Sequence, residues 1–183
     1  MTTYIVNVDG RVNLKTSVTD GASFVDSFIT ELVLSCNYMS ISSPPLIGLD
    51  VEFNDIDNHA ARKPATLQLC SGSGCIIIQL INMEVVPQSL INFLSAPLFC
   101  FVGVGIHYSL SLLKRFYGLE CRNVVELMPV LNLAVFSGQV GIEPKPLSVL
   151  MGDWGAGNLS MEQIESAASD AFTYFEFGKL LLG

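Results

Sequence analysis

The order of segments predicts an α/β protein in which helices sandwich a mixed sheet. Strand-like runs cluster first and then alternate with helical ones, which is the arrangement such sandwiches need. Half of the 183 residues are apolar and only 14% are charged, enough for a large core and too greasy for a disordered chain. No internal repeat and no long linker interrupts the sequence, so 1–183 reads as one domain: a hairpin and a helix over 1–45 ahead of a core over 46–183.

Residues 4–8 and 12–18 alternate apolar and polar side chains around Asp9-Gly10-Arg11, a hairpin signal. Between residues 22 and 36, Phe24, Val25, Phe28, Ile29, Leu32 and Val33 recur at helical spacing. Ser42-Ser43-Pro44-Pro45 breaks the chain, and 46–53, 65–70 and 75–81 read as strands, the first two joined by a polar loop over 54–59. Pro87 opens a helix over 88–94, and the β-branched run 98–106 reads as a buried strand. Leu110, Leu113, Phe116 and Tyr117 form one helical face that Gly118 ends. A short strand over 123–127 and a helix near 129–136 follow. The stretch 137–158, with five glycines and two prolines, is mostly loop with one short helix at 147–151. Ser160 and Gln163 spell a capping box, with Leu159 and Ile164 placed as a hydrophobic staple, for a last helix running to residue 182.

Charge and cysteine usage exclude several classes. Lys+Arg 9 against Asp+Glu 17 gives −8, which argues against a broad basic face for nucleic acid. No apolar run is long enough to span a bilayer, and the first residues carry no basic leader, so the expectation is a soluble intracellular protein, cytoplasmic or nuclear, with no membrane partner. Cys36, Cys70, Cys75, Cys100 and Cys121 are odd in number. Cys70 and Cys75 with only two histidines make a poor zinc site, so all five read as reduced, mostly buried thiols.

Leu49-Asp50-Val51-Glu52-Phe53 carries the chemistry. Acids two apart on a strand point to the same side of the sheet. Two same-face carboxylates are costly in an apolar strand, and a divalent cation with oxygen ligands compensates them; the bland alternative is a solvated strand end. Asp170, set among Ser166, Ala167, Ala168, Ser169 and Ala171, lies on a helix that can pack close to a sheet and supply a third ligand; taken alone, an acid at such a position is more often a solvated helix residue.

The run of segments resembles the DnaQ-like 3′–5′ exonucleases. Leu-Ile-Gly-Leu-Asp-Val-Glu (46–52), Ala-Thr-Leu-Gln-Leu-Cys (65–70) and Cys-Ile-Ile-Ile-Gln-Leu (75–80) match their opening. Phe-Val-Gly-Val-Gly-Ile (101–106), Leu-Glu-Cys-Arg-Asn-Val-Val-Glu-Leu (119–127), Asp-Trp (153–154) and the helix around Asp170 continue the match in order over about 46–182. The likeness is strongest to the Werner-syndrome-type branch and its small plant members. It implies a ribonuclease-H-like fold, a mixed central sheet with helices on both faces, and hydrolysis of phosphodiester bonds at single-stranded RNA or DNA 3′ ends.

The resemblance also implies a site. Asp50 and Glu52 match the first motif and Asp170 the acid of the third, a set that in this family holds Mg²⁺ or Mn²⁺. Two of the five family positions depart: Gly105-Ile106-His107-Tyr108-Ser109 puts Ser109 where an acid stands, and Ser166 stands where a tyrosine precedes the third acid by four residues. One metal site is therefore expected and the second is put in doubt, with impaired activity as the consequence. His107 or Tyr108 either substitutes for a missing group or is an ordinary surface residue. Arg62, Lys63, Lys114 and Arg115 are either a phosphate-binding rim or solubilising charges, and Phe53 and Phe172 either stack on a terminal base or sit in the core. The alternative function is a catalytically inactive relative that binds nucleic acid or protein. By analogy with plant members, the chain is also expected to self-assemble, as a homo-oligomer and in their case a hexamer.

Overall fold

The computed structural model describes residues 1–36, 44–56, 61–72, 74–128 and 145–183. The elements run β1 (Thr2–Val8), β2 (Val12–Thr19), α1 (Ala22–Cys36), β3 (Leu46–Ile56), β4 (Ala61–Ser71), β5 (Gly74–Ile78), a 3₁₀ turn (Leu80–Asn82), α2 (Gln88–Ser95), β6 (Cys100–Gly103), α3 (Ile106–Tyr117), β7 (Val124–Glu126), α4 (Leu147–Leu150) and α5 (Met161–Leu182). Seven strands form one sheet in the order β1-β2-β5-β4-β3-β6-β7. The β1–β2, β3–β4 and β4–β5 pairs are antiparallel, and β2–β5, β3–β6 and β6–β7 are parallel, so the sheet is mixed as the segment order predicts.

Strand alternation splits the core in two. On one face Ile47, Leu49 and Val51 of β3, Leu67 and Leu69 of β4, and Ile76 and Ile78 of β5 pack against Val25, Ile29 and Leu32 of α1, Leu90, Phe93 and Leu94 of α2, and Leu113 of α3. The other face, with Val6, Val18, Cys70, Cys75 and Ile77, is covered by Ile164, Ala167, Ala168 and Ala171 of α5. Helices therefore lie on both faces. The thiols of Cys70, Cys75, Cys100 and Cys121 are free, the first three of them buried.

Several boundaries differ from the sequence reading. β3 and β4 pair beyond the expected ends, through Asn54↔Lys63 to Ile56↔Ala61, so residues 54–56 are strand rather than loop. The ladder tolerates Pro64 because its register shifts between Glu52 and Phe53, and a proline without a donor sits comfortably at such an irregularity. The strand read over 75–81 stops at Ile78 and turns into the 3₁₀ segment, with Gln79 N–H donating 2.8 Å to the Thr19 carbonyl. The strand read over 98–106 is only Cys100–Gly103, because Gly105 takes φ +60°, the left-handed region that favours glycine, and turns the chain into α3. That helix starts a turn earlier than its apolar face suggests. Glu126 explains the early start, accepting hydrogen bonds from Gly105 N (3.0 Å) and Ile106 N (2.9 Å) and satisfying donors that a bare helix end leaves open.

At the last helix the capping box is formed as read: Gln163 N donates 3.2 Å to Ser160 Oγ and Ser160 N donates 3.0 Å to Gln163 Oε1. The short helix is Leu147–Leu150, one residue shorter than read. The helix read over 129–136 lies outside the described residues. Among the described residues, no helix is long and apolar enough to cross a membrane.

Candidate active site

Strand β3 presents Gly48, Asp50 and Glu52 to the α5 face, and Gly48 sets how close the helix comes. A Cβ added there would lie 1.9 Å from the Ala171 carbonyl oxygen and 2.8 Å from Phe175 N, so only glycine permits this approach. Ala167, Ala168 and Ala171 are fully buried and keep the helix flat against the sheet. That seating delivers Asp170 to the strand. Asp50, Glu52 and Asp170, all partly buried, each offer a carboxylate oxygen, and these atoms lie within 4.8 Å of one another.

Three carboxylates so close repel, and the protein shows the cost. Burial, then the charges of Glu52 and Asp170, push the Asp50 carboxyl up from 3.8 to about 7. Burial likewise raises Glu52, against the opposing pull of Lys145. Lys145 is the countercharge: its Nζ lies 2.5 Å from Glu52 Oε1 and 2.7 Å from Asp170 Oδ2. Burial works to lower the Lys145 pKa, but Glu52, Asp170 and Asp50 outweigh it and hold the ammonium charged.

Around this cluster the expected site residues divide. Ser109 is buried in the first turns of α3, its N–H donating 3.2 Å to the Gly105 carbonyl, and Ser166 is partly buried on α5 one turn before Asp170. Tyr108 is exposed and meets the Phe53 ring at 5.9 Å between centroids, with the planes tilted by 51°. His107 is exposed and does not join the acid cluster. The Arg62 guanidinium lies 4.8 Å over the Phe53 ring and acts electrostatically on Glu52, so it stands beside the acids. Lys63 lies 5.4 Å over the Tyr117 ring. Lys114 and Arg115 occupy the last turn of α3, where Lys114 pairs with Glu120 at 3.0 Å and Arg115 lies 5.5 Å over Phe116. Cations there suit the helix dipole. Phe53 and Phe172 both pack against core clusters, on opposite faces of the sheet.

Two residues in the cluster's reach escape the sequence reading. Lys145 sits in a glycine- and proline-rich stretch that reads as loop; its signal is that it is the one Lys or Arg between Arg122 and Lys179. Tyr174 follows Asp170 by four residues on α5, and so shares its face. Burial, then the charges of Asp50, Asp170 and Glu52, push its phenol well above the ordinary tyrosine value. The spacing is the mirror of the expected one: a tyrosine one turn after the third acid instead of one turn before. Asp153-Trp154 is structural here. Asp153 Oδ1 accepts from Gly155 N at 2.9 Å, while the buried Trp154 donates Nε1–H to the Val149 carbonyl at 3.2 Å.

No family model matches the chain. Over 149 residues it is 27% identical to a 3′-5′ exonuclease of Arabidopsis thaliana, covering 74% of this chain and 52% of that protein. Over 146 residues it is 27% identical to the human exonuclease 3′-5′ domain-containing protein 2, covering 69% of this chain and 23% of that one. The chain thus spans about half of the first relative and under a quarter of the second. The EXD2 exonuclease domain soaked in Mn superposes with a TM-score of 0.56 at 22% identity, over 91% of this chain and 89% of that one. The catalytic core of RRP6 from Trypanosoma brucei gives 0.72 at 15% identity, over 98% and 50%. The chain is similar in sequence to 3′–5′ exonucleases, and it shares the ribonuclease-H-like fold of the exonuclease domains on which it superposes.

Proposed function

We propose that this chain is a metal-dependent 3′–5′ exonuclease-like phosphodiesterase that shortens single-stranded RNA or DNA from the 3′ end, with activity reduced by the serines at 109 and 166. One observation carries the reading. Two separate elements, β3 and α5, bring three carboxylates within 4.8 Å of one another, a crowding that a bound divalent ion would offset. The similar sequences are named as a 3′-5′ exonuclease and an exonuclease 3′-5′ domain-containing protein. The motif order in the sequence resembles the Werner-syndrome-type branch, and by analogy with some of its plant members we read the chain as a homo-oligomer.

The donor set fits a hard divalent ion: three carboxylates on rigid elements, with no thiolate or imidazole among them. Asp50, Glu52 and Asp170 would hold one Mg²⁺ or Mn²⁺. Such an ion supplies polarisation of the phosphodiester and a more acidic water. The chain's own groups do the rest. Arg62 offers a guanidinium to a backbone phosphate, and Phe53 with Tyr108 offers ring faces to a terminal base. Tyr174, in the field of all three acids, is the phenol available to orient a water where the serine at 166 cannot reach.

A second reading has its own support. Lys145 neutralises part of the cluster without any metal, as a non-catalytic binding module would require. A substrate labelled at its 3′ end separates the two. An exonuclease releases the label at once as mononucleotide and spares a covalently closed circle of the same sequence. A binding module retains both strands and cuts neither.

A further inference from the structure

We propose that Lys145 is a displaceable internal cation, whose ammonium holds the carboxylate cluster closed until a divalent ion pushes it out. The inference rests on the reading of the cluster as a metal site, and concerns how an ion gains entry to it.

Ammonium and metal ion compete for the same space. A divalent ion bound by carboxylates lies roughly 2.0–2.6 Å from each ligand oxygen. The Lys145 Nζ already stands 2.5 Å from Glu52 Oε1 and 2.7 Å from Asp170 Oδ2. The ammonium therefore stands at ligand distance from two of the three acids, in the place that an ion engaging Glu52 and Asp170 together would take. Charge makes the exchange possible. With all three carboxylates ionised, one ammonium leaves two negative charges, and a divalent ion is attracted to that remainder.

The lysine is presented rather than merely nearby. Lys145 leads through Pro146 into α4, where Val149 is buried and accepts the Trp154 Nε1–H at 3.2 Å. Ser148 Oγ donates 2.6 Å to Glu162 Oε2 and ties the same turn to α5. The tether keeps the ammonium at the cluster at a high effective concentration, and a metal's apparent affinity falls by the fraction of molecules that the lysine occupies. Mg²⁺ sheds its water more reluctantly, so Mn²⁺ displaces the lysine at lower concentration.

Two measurements test this on the whole chain, with Mn²⁺ as the probe. The first is acetylation of wild-type lysines by an activated ester, read by peptide mass spectrometry as Mn²⁺ is added. Lys145 labelling rises about fivefold or more as Mn²⁺ binds, while labelling of Lys63 and Lys114 stays constant. The second is the Mn²⁺ dissociation constant of Lys145→Met against wild type by calorimetry. Removing one charge at contact distance tightens binding about tenfold or more. If that variant does not fold, labelling of the wild type decides alone. Mn²⁺ binding that leaves Lys145 labelling and the dissociation constant unchanged overturns the inference and leaves the exonuclease reading standing. Failure of both proteins to bind Mn²⁺ removes the metal reading and the inference with it.

Discussion

A Cβ on Gly48 would lie 1.9 Å from the carbonyl oxygen of Ala171, so β3 and α5 meet backbone to backbone. The contact falls two residues before Asp50 on the strand and one residue after Asp170 on the helix. Substituting Gly48→Ala forces the two apart and costs about 2–3 kcal/mol, at the upper end for overpacking because backbone has no rotamer with which to yield. Denaturant unfolding reads this as a lower midpoint at unchanged slope. Mn²⁺ affinity falls with it, since Asp170 moves away from its partners.

Stability of the metal-free protein falls as pH rises through the window set by Asp50. Its carboxyl goes from 3.8 to about 7 on folding, so between those values the folded state holds the extra proton. Where the folded state binds more protons, raising pH favours unfolding. The stabilisation is present below about pH 4 and lost by about pH 7. Thermal melts of Asp50→Asn, which cannot titrate there, show a flatter profile across that range. A saturating divalent ion flattens the wild-type profile too, because it favours the ionised carboxyl.

Tyr174→Phe separates the phenol's chemistry from its packing. The ring packs against the cluster of Cys100, Val102 and Leu127, and phenylalanine keeps that contact. Unfolding stability stays within about 1 kcal/mol, while Mn²⁺-dependent turnover falls about tenfold or more, at the scale of losing a group that orients water. Unchanged turnover assigns the tyrosine to packing alone.

Arg62→Ala weakens single-strand binding, and the slope of log affinity against log salt drops by about 0.7, one phosphate contact's worth. Lys114→Ala changes neither, because that ammonium already pairs with Glu120 at the far end of α3. Fluorescence anisotropy of a labelled oligonucleotide across a salt series measures both.

Much of this was legible in the chain. Asp50 and Glu52 declare themselves because period-two alternation is a local property, and Ser160 with Gln163 because a capping box spans four residues. Strand lengths were less legible. Whether residues 54–56 pair is decided by the partner strand, and the strand at Cys100–Gly103 is cut short by the turn at Gly105, where α3 begins on hydrogen bonds to Glu126, 21 residues from Gly105 and 20 from Ile106. Lys145 was invisible for the same reason. Its partners are Glu52, 93 positions away, and Asp170 on α5, and no short-range pattern links a loop lysine to a strand acid.

Hydrolysis at a 3′ end by the three-acid site is open to direct observation. The most direct measurement is a denaturing gel of a 5′-labelled single-stranded RNA and its DNA counterpart, with Mg²⁺ and then Mn²⁺, comparing wild type with the Asp50→Ala, Glu52→Ala double variant. Wild type gives a ladder shortening from the 3′ end, slow, faster in Mn²⁺, and absent in the variant. Intact strands with wild type under both metals, or a ladder that persists in the variant, would contradict hydrolysis by that site.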